Sequence, residues 1–495
     1  MANTPQIAEN RSIKFDVREV GRIKSVRDFL VIATDLPSCI NGQIVQFKEG
    51  HLGLVMGFKG DAVQVLVLDS NVPLRLGDEI YNKGQSLQLP VGNNFVGRVV
   101  SSLCEPLDGL GGIPADAIAS VFADAPGVMD RVPVDQTLET GTMVIDAVIP
   151  IAKGQRQLLI GDRLTGKTTV AIDAILSQKN KDVICIYCCI GKPYSSLVKV
   201  MDLLREKDVL SYTIVVNGTS STSVGQQYLA PYTASMLGEY FMHNGKDVLL
   251  IFDDLTKHAW IYRQISLLLE RAPGREAYPG DIFYLHSQLM ERAGYLKPEL
   301  KGGSMTFLPI VETLQGDMTG FIPTNIISMT DGQIYTSTSL FYKGIKPALD
   351  MGLSISRIGN KAQWPALRQV SKNLRLEYLQ YQELLQMTRL RATGLSKEAQ
   401  ARLRRGEIIT QLIIQDKNRP ASIIEQILYL HALNLDLLSE ASVEEIKRFK
   451  REILTFVKDR YPEMVRTVCE KKTMSEESQQ TLEEALKKYF EKPKG

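Results

Sequence analysis

The sequence has little of what metal clusters and disulfide frameworks need: six cysteines and five histidines in 495 residues. His51, His243, His258, His286 and His431 are too scattered for a zinc motif. Cys185, Cys188 and Cys189 fall inside the apolar run VICIYCCI and read as buried strand thiols. Long hydrophobic runs are missing too. The longest, Val183–Ile190 and Val248–Phe252, fall far short of the ~18 residues of a membrane span, so any membrane link is expected to be peripheral. Neither sign of charge dominates: 58 basic against 56 acidic residues leave +2, which gives no overall electrostatic footprint for nucleic acid. The first twenty residues carry Glu9, Asp16 and Glu19 and no apolar stretch, unlike a signal or transit peptide, which implies a cytoplasm-like compartment. No internal repeat and no low-complexity tract is present, which excludes solenoids and propellers.

What is there is an ordinary globular composition, 44% hydrophobic and 23% charged, in a chain long enough for roughly three domains. After a short extension over 1–20, the pieces FLVIATDL, GQIVQF, HLGLVMGF and AVQVLVL alternate with turn residues, predicting an antiparallel β-barrel over 21–95. Over 96–365 the runs RQLLIGD, DVICIYCCI, YTIVVNG and DVLLIFDD alternate with helical stretches. That is the pattern of a parallel sheet buried on both faces, so an α/β domain is expected. Over 366–495 helical spacing takes over: Val370, Leu374, Tyr378, Tyr381 and Leu385, then Ile446, Phe449, Ile453 and Val457, predicting a helical bundle.

The most informative segment is Gly161-Asp162-Arg163-Leu164-Thr165-Gly166-Lys167-Thr168, set between the strand-like QLLI and the helix-like TTVAIDAILSQ. This is a P-loop in the context its chemistry requires. Glycines let backbone N–H groups close around phosphate oxygens, Lys167 reaches the β- and γ-phosphates, and the Thr168 hydroxyl suits Mg²⁺. A carboxylate at the end of a neighbouring apolar strand should orient the metal through water, and Asp253 after VLLIF is assigned as this Walker B acid. Hydrolysis further needs a base after VICIYCCI, where P-loop ATPases of this architecture commonly carry a glutamate. Here Lys192 stands in that stretch, and a protonated lysine has no lone pair to accept a proton. The expectation is a site that binds Mg-nucleotide (ATP or ADP) and turns it over poorly. Lys192 itself reads either as a surface lysine or as a phosphate contact.

The segments GDRLTGKTTVAIDAI, IFDDLTKHAWIYRQISLLLERAPGREAYPGDIFYLHSQLMERA and PALDMGLSISRIGNKAQ resemble the alpha-subunit family of F-type ATP synthases, over almost the whole chain. The resemblance implies a β-barrel crown, a RecA-like P-loop domain and a C-terminal helical bundle. It implies a ring of three alpha and three beta subunits, in which alpha holds a nucleotide while beta makes or hydrolyses ATP. The ring surrounds a central stalk gamma subunit, a peripheral stalk with delta is a further partner, and ring turnover is coupled to proton or sodium flow. Such a subunit sits peripherally on the cytoplasmic side of the cell membrane. By the same resemblance Arg357 is a finger inserted into the neighbouring beta site, a device contributing ~10³–10⁵ in rate. The segment at 272–281 matches the family's loop near the rotating shaft.

Departures from the family pattern are Leu164 and Lys192, each where glutamine is usual. Lys346 and Lys417 replace the usual arginine and glutamine near the adenine, where Pro347 and Gln415 match. The segment before Gly21, with Pro5 and no helical stripe, departs from the family's amphipathic stalk-docking helix, so altered stalk attachment is expected. Two other classes remain open. A self-sufficient ring motor, either a protein-export ATPase or an RNA-translocating terminator, would need its own catalytic glutamate after VICIYCCI. A nucleotide-dependent scaffold in a machine that no longer makes ATP would fit the short N-terminus.

Overall fold

The computed structural model of the chain describes residues 19–48, 50–69, 73–390 and 396–491. The expectation for the N-terminal extension lies, up to residue 18, outside the described residues. Two compact units are present: the chain up to Leu87 with Ser223–Gly225, and Gln88–Thr222 with Gln226–Gly495.

In the first unit the strands are Val20–Arg27 (β1), Leu30–Thr34 (β2), Gln43–Phe47 (β3), Leu52–Lys59 (β4), Ala62–Val67 (β5) and Glu79–Ser86 (β6). They close into a barrel in the order β1-β2-β5-β4-β3-β6, every neighbouring pair antiparallel. Val31, Val45, Phe47, Val55, Val65 and Ile80 point inward and are buried, which is the consequence of the alternation that the sequence shows. Closure leaves no free sheet edge.

The second unit begins with Gln88–Val91 (β7), Val99–Ser101 (β8), Ala117–Ser120 (β9), Thr137–Leu138 (β10) and Ile151–Ala152 (β11). Its main strands follow: Leu158–Asp162 (β12), Val183–Ile190 (β13), Thr213–Gly218 (β14), Asp247–Asp253 (β15), Gly294–Tyr295 (β16), Ser304–Thr313 (β17), Gly332–Thr336 (β18) and Ile355–Ser356 (β19). Among the described residues, nine strands form one sheet in the order β19-β18-β12-β17-β15-β13-β14-β8, with β16 beside β17. The pairings from β18 through β8 are parallel, and only β19 and β16 join antiparallel. Parallel strands covered by helices on both faces must be apolar throughout, which is why VICIYCCI and VLLIF carry no alternation.

Helices lie between these strands: Met143–Val148 (α1), Lys167–Leu176 (α2), Tyr194–Glu206 (α3), Val224–His243 (α4), Leu255–Leu268 (α5), Ile282–Met290 (α6), Phe321–Met329 (α7) and Thr338–Tyr342 (α8). The C-terminal region is helical: Pro365–Ser371 (α9), Leu374–Leu390 (α10), Lys397–Ile413 (α11), Ile423–Asn434 (α12), Val443–Arg460 (α13), Pro462–Lys471 (α14) and Glu476–Phe490 (α15). Ser422 and Ser442 start α12 and α13 with capping boxes closed by Glu425 and Glu445. The seam Ile446, Phe449, Ile453 and Val457 is buried, and one apolar core runs from Val99 in the sheet to Leu486 in the last helix. The helices and the sheet of this unit therefore share a core.

Candidate nucleotide site

The P-loop joins the C-terminal end of β12 to the start of α2. Gly161 lies against Thr336 of β18, where a Cβ would stand 2.1 Å from the Thr336 hydroxyl oxygen and 2.4 Å from its carbonyl oxygen. Gly166 precedes the helix with φ 95°, a left-handed conformation that glycine adopts without strain. The start of α2 leaves its first N–H groups without helical acceptors, and these are the donors an anion would use. Lys167 is buried and its ammonium donates to the carbonyls of Gly161 and Asp162 at 2.8 and 2.6 Å, folding the side chain back across the loop. Burial lowers its pKa, against Glu312, Asp254 and Asp253. Asp162 braces the loop from behind. Burial works to raise its carboxyl, but the Thr313 hydroxyl, the Gly316 N–H and the Thr338 hydroxyl donate to it and hold it below the usual range. Thr165 packs its hydroxyl on Thr336 Oγ1 at 2.6 Å, while Leu164 is exposed at φ 64°.

β13 and β15 are neighbours in register Cys189 to Asp253, which brings the two strand ends together beside the loop. Asp253 is fully buried and its Oδ2 accepts from the Thr168 hydroxyl at 2.9 Å and the Tyr187 hydroxyl at 2.7 Å. Its neighbour Asp254 does the helix-capping, accepting from the Lys257 N–H at 2.8 Å. The Asp254 carboxyl is pushed up to about 7, first by burial and then by Glu312 and Asp253. Lys192 is not a free surface lysine. Its ammonium pairs with Asp253 Oδ1 and donates to Thr168 Oγ1 at 3.0 Å. Burial pulls its pKa down, but the charge and hydrogen bond of Asp253, with Asp254 and Cys189 behind them, make the net shift upward.

Opposite the P-loop, Lys346 and the cis-linked Pro347 meet Gln415 and Lys417. The Gln415 N–H donates to the Lys346 carbonyl at 2.7 Å, its side chain bonds the Met143 N–H and the Gly141 carbonyl, and Lys346 lies 4.4 Å from the Phe341 ring centre. Together these groups enclose a cleft of about 820 Å³. Of the residues singled out in the sequence, Arg163, Leu164, Thr165, Gly166, Lys167, Thr168, Lys192, Asp253, Lys346, Pro347, Gln415 and Lys417 all line it. Gly161 and Asp162 support the loop from outside the lining. Sequence reasoning passed over Tyr187, Asp173, Lys257 and Glu312, which also line the cleft. Glu312 ends β17 beside the P-loop and pairs with Lys257 at 3.4 Å, and burial pushes Asp173 up to about 7. That ligand sites of parallel sheets gather at the strands' C-terminal ends would have pointed to Glu312.

Arg357 lies elsewhere. It follows the edge strand β19, is exposed, and its side chain makes no ion pair or hydrogen bond among the described residues; its N–H donates to the Asp331 carbonyl at 2.8 Å.

The nucleotide-binding domain of the ATP synthase alpha/beta family matches residues 141–356, and that family's C-terminal domain matches 363–489. ATP synthase subunit alpha of Clostridium botulinum (strain Eklund 17B / Type B) is 44% identical over 95% of this chain and 93% of its own length. The same subunit of Caldanaerobacter subterraneus subsp. tengcongensis is 42% identical over 98% and 96%, and that of Clostridium kluyveri 42% over 96% and 94%. The chain belongs to the alpha-subunit family of ATP synthases. An ATP synthase alpha subunit binds nucleotide and works as part of a rotary, membrane-bound complex. Among the described residues of this one, no helix is long and apolar enough to cross a membrane.

Proposed function

We propose that this alpha subunit is the non-catalytic, nucleotide-holding member of its ring. The observation that carries this is the pairing of an intact P-loop with Lys192 in the stretch where a water-activating glutamate is expected. An ammonium locked onto Asp253 cannot take a proton from water. Glu312, a further carboxylate near the strand ends, is engaged by Lys257. The groups at 161–168 hold the phosphates of ATP or ADP, and Lys346, Pro347, Gln415 and Lys417 line the base end. Thr168, and Asp253 through water, are the groups that would hold an Mg²⁺ arriving with the nucleotide, and the Lys192 ammonium contacts both.

In this reading three copies alternate with three catalytic beta subunits around a gamma stalk, with a delta-containing peripheral stalk as a further partner. The complex couples proton or sodium flow to ATP synthesis or hydrolysis from the cytoplasmic side of the membrane. Arg357, exposed and without a partner within the described chain, is the group supplied across the interface to beta, where a guanidinium steadies charge on the transferring phosphate. Isolation of the native assembly, with its subunits identified and nucleotide counted at each interface, tests the reading. Beta, gamma and an ion-conducting ring should be present, and the purified alpha chain should bind ATP with almost no turnover. Rapid hydrolysis by the chain alone, or a working homo-hexamer of it, would overturn it.

A further inference from the structure

We infer that Lys192 takes the place of the Mg²⁺ ion, so that this site holds its nucleotide as the metal-free polyanion. The inference rests on the nucleotide-site reading above and concerns the ionic form in which the ligand is held.

Three observations converge on it. A P-loop magnesium ion takes one ligand from the loop hydroxyl and is steadied, through water, by the strand-end carboxylate. Here both of those groups already face one protein cation: the Lys192 ammonium donates to Thr168 Oγ1 at 3.0 Å and pairs with Asp253 Oδ1. The remaining oxygen of that carboxylate, Oδ2, takes the Thr168 and Tyr187 hydroxyls, at 2.9 and 2.7 Å. Mg²⁺ demands near-octahedral oxygens at ~2.0–2.1 Å and releases its waters reluctantly. A dication placed there would stand within a few ångströms of an ammonium that is tethered by its own chain and cannot diffuse away.

The second observation is the charge of the cleft. Seven basic side chains line it against four acidic ones, an excess suited to a triphosphate whose charge no metal has reduced. The third is Leu164. The residue is 84% exposed on the loop, and its hydrocarbon side chain offers neither an oxygen nor a water-holding amide to a metal. An ammonium between the loop hydroxyl and the strand-end carboxylate can still donate to a phosphate oxygen, as the three donors of a lysine allow.

The test measures ATP binding by the purified full-length chain, by calorimetric titration, once with excess Mg²⁺ and once with EDTA. The expected result is an affinity that differs by less than about threefold between the two conditions. In the Lys192→Gln variant, which frees Thr168 and Asp253, magnesium should tighten ATP binding by about tenfold or more. A second readout needs no variant: Mn²⁺ added with ATP should give the wild-type chain no protein-bound Mn²⁺ signal in electron paramagnetic resonance, and Lys192→Gln should acquire one. If the wild-type chain binds ATP only with Mg²⁺, or shows bound Mn²⁺, the inference falls while the nucleotide site stands. If it binds ATP under neither condition, the nucleotide-site reading falls and the inference with it.

Discussion

Arg292 and Glu239 form a two-pronged ion pair inside the second unit, Nε to Oε1 and Nη2 to Oε2, both at 2.6 Å, with the arginine side chain 1% exposed. The third contact of the guanidinium is the Val121 carbonyl at 2.9 Å. Charges so deeply buried are tolerated only while paired, and removal of one partner strands the other in a medium of low dielectric. Glu239→Gln is expected to lower unfolding stability by about 3–5 kcal/mol in urea titration. Combining it with Arg292→Met should cost less than the sum of the two single changes. Strict additivity would mean that the two side chains do not act as a pair.

Acid sensitivity should trace to two buried imidazoles. The rings of His258 and His286 have their centres 5.9 Å apart, His258 lies beside Tyr228 and Tyr232, and neither nitrogen of His286 has a hydrogen-bond partner among the described residues. Burial lowers the His258 pKa to about 4, and burial together with its neighbour lowers that of His286 to about 3, from 6.5. Both rings are therefore neutral in the folded chain, while the unfolded chain takes up protons as pH falls below 6.5. Their contribution is complete above that pH and is lost progressively toward pH 4 and below, by roughly 3 kcal/mol or more per ring over the full range. His286→Phe keeps the ring and deletes the titration. Its melting temperature should be near that of the parent at pH 7.5 and fall less steeply between pH 7 and 5. Parallel pH profiles for the two proteins would exclude His286 as a cause.

Gly161 is required by contact rather than by the ligand. A methyl group there meets the Thr336 hydroxyl and, behind it, the Thr336 carbonyl. Gly161→Ala should therefore push β12 away from β18, costing about 1–3 kcal/mol and weakening ATP binding at least about tenfold. Adding Thr336→Ala removes the hydroxyl but not the carbonyl, so little should be recovered. Full recovery of melting temperature and affinity in the double variant would show that only the side chain was in the way.

The parts legible in the sequence are those specified by local pattern. VICIYCCI and VLLIF announce strands buried on both faces, and the spacing of Ile446, Phe449, Ile453 and Val457 announces a helix with one buried stripe. The glycines at 161 and 166 mark a phosphate loop because few other residues take that backbone. What local pattern cannot carry is which strand ends meet. Lys192 reads as a loop lysine until the register of Cys189 with Asp253 is known, and only then does its partner become visible. Gln415 braces the Met143 N–H from 272 residues further along the chain, a contact that only the packing of the helical region against α1 creates.

The exposed position of Arg357 separates two roles that are often confounded. A residue that stabilised its own nucleotide site would lie in the cleft, and its loss would weaken ATP binding by the isolated chain. Arg357 is absent from that lining and extends from the edge of the sheet without an internal partner among the described residues. Arg357→Ala should therefore leave the melting temperature and the ATP affinity of the purified subunit unchanged within error. In the assembled complex, steady-state ATP hydrolysis should drop by ~10³-fold or more, with a smaller rescue by Arg357→Lys because an ammonium lacks the planar, two-pronged reach of a guanidinium. An unaltered rate in an assembly that contains the variant alpha chain in full stoichiometry would remove Arg357 from the neighbouring reaction, whatever its effect on the subunit alone.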